Sequence, residues 1–205
     1  CYLQDGEQAV LMAALMETDN DGRPLIDAWI KRSGLTADAW LEKLFEATVI
    51  PFYHLLCRYG VALIAHGQNV TLVMKDYVPQ RILLKDFQGD MRLVDEDFPQ
   101  AQSLPEQVKA VTARLSADYI IHDLQTGNFV TVLRFISRLT LQCGVSETRF
   151  YQILAQVLRR YMAAHPDLAA RFAKFDLFKP QIIRVILNPV KLTFSEHDGG
   201  NRMLP

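Results

Sequence analysis

The sequence predicts an α+β fold, with a small antiparallel β-sheet over about residues 61–94 flanked by a mainly α-helical remainder. Three observations lead there. Short apolar runs separated by turn residues occupy 61–94. Apolar residues recur at helical spacing before and after that stretch. The 205 residues are half hydrophobic, enough to build a core.

In order, residues 7–17 are rich in Ala, Leu and Met and read as a helix. Asp19-Asn20-Asp21-Gly22 is a turn. Pro24 opens a short helix through Lys31, which Gly34 ends. Thr36 is the N-cap of the next helix, in which Trp40, Leu41, Leu44, Phe45, Val49 and Phe52 form one apolar face. Pro51 should kink or split it, and Gly60 should stop it. Strands follow at 61–65, 70–74, 81–84 and 91–94, with a turn at 75–79; the short connections favour antiparallel pairing. Residues 95–102 read as an acidic loop. Helices are expected at 104–116, 117–124, 128–142, 147–164 and 167–174, with Ser146 as a cap and His165-Pro166 as a break. Residues 181–194 suit either a strand or a buried helix, interrupted by Pro189.

Composition narrows the function. With 22 basic and 23 acidic residues there is no positive field for a phosphate polymer, so no nucleic-acid partner is expected. The longer apolar runs are cut by Arg58, His66, Arg134 and Arg184, so no membrane span is expected either. Cys1, Cys57 and Cys143 are scattered, with neither metal-type clustering nor a disulfide framework, which fits a reducing cytoplasm. The start at Cys1 without a signal-peptide pattern, and the end at Pro205 without a closing element, read as a piece of a longer protein, with a helical lead-in at 1–60, a β-rich segment at 61–94 and a helical segment at 103–205.

The chemistry-bearing residues concentrate in the β-rich segment. His66, Gln68 and Asn69 lie at a strand end, and Asp86 and Asp90 follow the third strand. If the second and third strands form a hairpin, Asn69 and Asp86 meet at its open end. An amide oxygen and a carboxylate are hard ligands suited to Mg²⁺, which completes its shell with water and phosphate oxygens. Lys85 alternates to the opposite face from Asp86 and reaches a phosphate only if the strand twists or ends there. His66 and Gln68 suit hydrogen bonding to a phosphate or carboxylate. Kinase-like phosphotransferases use a similar Asn and Asp-Phe pair, here Asn69 and Asp86-Phe87, but the catalytic Asp expected shortly before the Asn is missing. The opposing reading is that these polar groups merely satisfy turns.

Ala65-His66-Gly67-Gln68-Asn69 followed by Lys85-Asp86-Phe87-Gln88-Gly89-Asp90 resembles the C-terminal half of the siderophore synthetases that work without a peptide-synthetase template, the family typified by aerobactin synthesis. The likeness extends to Tyr59-Gly60-Val61-Ala62, to the 121–127 stretch around His122-Asp123 and to Asn188-Pro189-Val190-Lys191-Leu192. It implies the palm-like part of a hand-shaped enzyme. It also implies an ATP-dependent ligase that uses Mg²⁺ to adenylate a carboxylate of citrate or a citryl half-amide. An amine of a hydroxamate-bearing amino acid then attacks, leaving an amide and AMP. Residue by residue, it gives His66 as the motif histidine near phosphates and carboxylate, Gln68 and Asn69 as its nucleotide-binding neighbours, and Asp86 as the Mg²⁺ ligand. Lys85, Arg81 and Arg92 are the nearby cations for these polyanions. Two departures stand out: many members carry Glu where this chain has Ile64, and the residues gripping the triphosphate belong to the N-terminal half, so the fragment alone is not expected to turn over. The sequence does not set the oligomeric state; a homo-oligomer would form through the full-length protein.

Elsewhere, His122-Asp123 reads as a helix-surface pair or a buried hydrogen-bonded histidine, with a substrate role as the rival. His54 reads as a packing residue, His165 as a helix stop, Arg159-Arg160 as an exposed face, and Lys179, Arg184 and Lys191 as solvated charge or a face toward an anion. Trp29 and Trp40 read as core. The alternatives to a ligase are the kinase-like phosphotransferase and a non-catalytic helical interaction domain.

Overall fold

The computed structural model describes residues 3–85 and 87–182. Its elements run β1 (Glu7–Leu11), α1 (Leu25–Ser33), α2 (Ala37–His54), β2 (Val61–Leu63), β3 (Val70–Lys75), β4 (Val78–Leu84), α3 (Phe87–Asp90), β5 (Met91–Val94), α4 (Pro99–Gln102), α5 (Glu106–Val111), β6 (Ala113–Leu115), α6 (Ala117–Ile120), α7 (His122–Leu124), α8 (Arg134–Leu139), α9 (Glu147–Ala164) and α10 (Ala169–Lys174). The α+β class is as expected, but the strands form two three-stranded sheets rather than one. The first, in the order β1-β3-β4, is antiparallel; the second, β2-β5-β6, joins β5 and β6 in parallel.

Two helix expectations fail for the same reason. Residues 7–11 are a strand, registering Glu7 opposite Lys75 and Leu11 opposite Thr71, and only Met12–Met16 coils, as a 3₁₀ turn. Residues 113–115 pair with 92–94 instead of continuing a helix. Each segment covers a sheet edge whose backbone groups would otherwise lack partners, and that demand outweighs local propensity.

Pro51 does not split its helix. α2 runs through it to His54, held by the buried Val49, Phe52 and Tyr53, then widens into a π-helical turn over Leu55–Tyr59. Gly60 ends that turn at φ 65°, where a Cβ would lie 2.7 Å from Val94, so the residue that stops the helix also lets the second sheet close against it. Thr36 and Ser146 cap α2 and α9 as expected, their hydroxyls accepting from the N–H of Ala39 and Arg149 at 3.2 and 3.1 Å. α9 lies along α2 through the edge-to-face rings of Phe45 and Phe150 and a two-nitrogen grip of Arg149 on Asp38.

The β3–β4 hairpin turns on only two residues, Asp76 and Tyr77, both at positive φ, the geometry matching strand twist. Neither is glycine, a strained choice that tertiary contacts offset: Trp40 donates its indole N–H to the Tyr77 carbonyl at 2.8 Å, and Arg32 lies over the Tyr77 ring. Pro79 is tolerated because β4 is an edge strand.

After α7 the chain forms a nine-residue π-helical segment, Gln125–Leu133, that leads into α8, so this helical stretch starts before the expected residue 128. Among the described residues no helix is long and apolar enough to cross a membrane. The expected element at 181–194 lies outside the described residues beyond Ile182.

Candidate functional site

The connection from β2 to β3 carries the motif and joins the two sheets. Its backbone is fixed residue by residue. The Ile64 N–H donates to the Asp90 carbonyl (3.1 Å) and the Ala65 N–H to the Asp123 carbonyl (3.4 Å); the Ala65 carbonyl accepts from the Asn128 amide (3.1 Å). The Gly67 carbonyl accepts from the Ala13 N–H and the His66 carbonyl from the Asn69 N–H. Gly127 lies so close that a Cβ there would sit 3.2 Å from the Ala65 nitrogen, and the half-buried Ile64 packs over it. A turn this tied down is pre-organised, the condition for aiming a side chain at a substrate.

His66 is half-buried. Its Nδ1 accepts the Gln68 N–H at 3.3 Å, which makes Nε2 the proton-bearing nitrogen of the neutral ring and thus a donor. Gln68 is exposed. Asn69 is buried and donates its amide to Asp90 Oδ2, which leaves Oδ1 as that side chain's acceptor. The expected hairpin forms: Val70 registers with Leu84, and the Lys85 N–H donates to the Asn69 carbonyl at 3.3 Å. Lys85 is exposed at this open end. Asp86, the expected metal ligand, lies outside the described residues.

The three nearby cations part company. Arg81 is committed to Glu7 at 2.5 Å, across the first sheet. Arg92 binds Asp123 at 2.5 Å, on the second sheet. Asp123 is neither a surface group nor an ordinary buried one: burial pushes its carboxyl up to about 6 against the opposing pull of Arg92, and the nearby Asp90 adds to the rise. Among the described residues the buried side-chain oxygens without a partner are Asp123 Oδ2 and Asn128 Oδ1, both on the elements that hold Ala65.

His122 is half-buried, with Nδ1 3.3 Å from the Thr126 hydroxyl, and burial lowers its pKa. His54 is a packing residue, its Nδ1 2.6 Å from the Tyr161 hydroxyl and its ring against Tyr59, Tyr161 and His165. His165 ends α9. Arg160 pairs with Glu42 and Glu46, and Arg159 lies over Phe178. Trp29 and Trp40 are core. Lys179 is exposed; Arg184 and Lys191 lie outside the described residues. Sequence reasoning placed Asp90 and Arg92 nearby but not their partners. A signal existed for Asp123, a lone carboxylate among Ile120, Ile121 and Leu124.

Among the described residues no group of three or more His, Cys, Asp or Glu is placed to hold a metal ion. At the hairpin's open end the Asn69 amide oxygen is a hard donor, of the kind that magnesium accepts beside phosphate and water oxygens. Cys57 and Cys143 sit elsewhere, and burial pushes the Cys57 thiol up to about 12.

A family model described as "Ferric iron reductase FhuF-like transporter" matches residues 38–201. The chain is 66% identical, over its whole length, to aerobactin synthase of Escherichia coli, of which it covers 35%. In structure it resembles aerobactin synthetase IucC of Klebsiella pneumoniae, with TM-score 0.90 and 67% identity over 93% of this chain and 35% of that one. It also resembles ATP-bound aerobactin synthetase IucA of the same organism, with TM-score 0.66 and 19% identity over 77% of this chain and 30% of that one, a likeness of fold alone. The chain thus spans about a third of the length of the curated relatives it matches.

Proposed function

This chain belongs to the FhuF-like family, and on that premise we propose that it forms part of a cytoplasmic, ATP-dependent siderophore synthetase joining a citrate-derived carboxylate to an amine of a hydroxamate-bearing amino acid. The observation that carries the reading is the His66–Asn69 turn. It is locked between two sheets, presents an Nε2–H donor, and sits where the Lys85 backbone meets Asn69. The name of the E. coli relative and the ATP in the IucA structure support the same reading.

In this reading a substrate carboxylate oxygen attacks the α-phosphorus of ATP, and the bond to pyrophosphate breaks. His66 donates from Nε2 to the α-phosphate as negative charge builds there, an interaction stronger in the transition state than in the ground state. Gln68 and the Asn69 amide bind and orient the nucleotide, and Lys85 meets phosphate from the strand end. Asp86, with Asn69 Oδ1, would hold magnesium, which when bound offsets triphosphate charge. The amine nitrogen then attacks the acyl carbon, AMP leaves, and the ammonium proton passes to solvent. Ile64 stands where many members of this kind carry Glu, so this chain lacks the metal or substrate contact a carboxylate would make there.

The test is a product assay on the full-length protein with ATP, Mg²⁺, citrate or a citryl half-amide, and hydroxamate-bearing amines. AMP, pyrophosphate and an amide are expected. ADP as the nucleotide product points instead to phosphoryl transfer to the substrate, and nucleotide-independent behaviour points to an interaction domain.

A further inference from the structure

Arg92 and Asp123 meet from different parts of the fold. Arg92 stands in β5 opposite Ala62 of β2, and Asp123 stands in α7, whose backbone also anchors Ala65. Two residues before Arg92, Asp90 binds both the Ile64 N–H and the Asn69 amide. The junction of α3 and β5 therefore serves the motif turn through Asp90 and carries Arg92 two residues on. The pair is lopsided: the Asp123 side chain is 5% exposed and the Arg92 side chain 25%, so the carboxylate is the anchored end and the guanidinium the presented one. A guanidinium has five N–H donors, and Asp123 takes one nitrogen through Oδ1. Asp123 Oδ2 is buried without a partner, an unfavourable arrangement for a pair whose only task is stability.

We infer that Asp123 is a positioning residue for Arg92, holding its guanidinium as the cation that receives an oxyanion, carboxylate or phosphate, beside the His66 turn. The inference rests on the ligase reading for the identity of that oxyanion but not for its existence. Arg92 supplies the charge and the fork, and Asp123 sets its reach and limits its rotamers, so that less order is lost when the anion arrives. The half-buried location strengthens the contact relative to one in open water.

The experiment is calorimetric titration of the full-length protein with citrate and, separately, with ATP and Mg²⁺, for wild type, Arg92→Ala, Arg92→Lys, Asp123→Asn and, as control, Glu7→Gln. Loss of a charge-assisted hydrogen-bonding partner should weaken one of the two ligands by at least about tenfold in Arg92→Ala. Arg92→Lys restores charge without the fork and should recover only part of that loss. Asp123→Asn keeps an acceptor for Arg92 and should weaken the same ligand by about three- to tenfold, while Glu7→Gln leaves both affinities unchanged. Weaker citrate identifies a carboxylate site; weaker ATP identifies a phosphate site. Affinities for both ligands unchanged in Arg92→Lys and Asp123→Asn, folded variants by thermal melting, overturn the inference, as does a wild type that binds neither. Absence of AMP in the product assay overturns the ligase reading alone.

Discussion

Beside each sheet a carboxylate is paired with an arginine, and the side chains of the two pairs have similar exposure: Glu7 with Arg81 at 6% and 35%, Asp123 with Arg92 at 5% and 25%. Their electrostatics are opposite. Glu7 also accepts the Gln4 N–H at 2.8 Å, and that backbone bond, with Arg81, holds its carboxyl below the usual value. Asp123 has a single guanidinium, an orphaned oxygen and the acidic Asp90 nearby, and its carboxyl is raised. The first pair clamps β1 to β4 across β3 and is complete. The second joins β5 to α7, whose backbone holds Ala65, and leaves Asp123 Oδ2 without a partner. The difference teaches that side-chain exposure and partner type do not fix the electrostatics of an ion pair; the full set of donors does.

The largest effect expected lies on the unfinished side. His66→Ala in the full-length enzyme should cut adenylation by about 10²–10³-fold, the scale for losing one transition-state donor. Pyrophosphate release near the wild-type rate would remove His66 from the chemistry and leave the second sheet no more functional than the first.

Asp123→Ala should come next, destabilising the protein by about 2–3 kcal/mol, because it strands Arg92 in a half-buried position. Denaturant midpoints read this directly, and a midpoint equal to that of wild type would mean that Arg92 is already solvated.

The pH dependence sharpens the contrast by sign. For Asp123 the folded value is about 6 against an ordinary 3.8. The native state therefore binds more protons than the unfolded chain between those values, and the stability conferred by the neutral form is lost as pH rises through about 4 to 6. The charged groups facing it are Arg92 and Asp90. For Glu7 the folded value is lowered, so its contribution is lost as pH falls through the acid range. Thermal melting across pH 3–8 in about one-unit steps should show Asp123→Asn flattening the upper part of that window and Glu7→Gln the lower part. Identical profiles for wild type and Asp123→Asn would contradict the raised value.

The smallest effect is expected from Glu7→Gln at neutral pH, a lowering of Tm below that caused by Asp123→Ala with no change in product formation. A loss of activity instead would make the first sheet part of the site.

Much of this was legible from residues alone. α9 follows its reading at both ends because Ser146 caps it, apolar spacing sustains it and His165-Pro166 stops it. The hairpin that brings Lys85 to Asn69 was legible from two apolar runs and the turn between them. The β1 segment was not, since Gln8-Ala9-Val10-Leu11 has nothing in its own pattern against a helix, and its state depends on an edge sixty or more residues away. Nor was the Arg92–Asp123 pair, whose members are 31 residues apart in sequence.

The sequence by itself determined the class of fold, the caps that start α2 and α9, and the hairpin whose open end brings the Lys85 backbone to Asn69, because caps, periodicity and turn residues act within a few positions of where they are written. Only the tertiary structure decided that there are two sheets rather than one, that the motif turn is the joint between them, and which arginine stands beside it. Those outcomes depend on which distant backbone edges and buried charges find each other, and the cost of leaving such groups unpaired in a dry interior is felt only once the chain has closed.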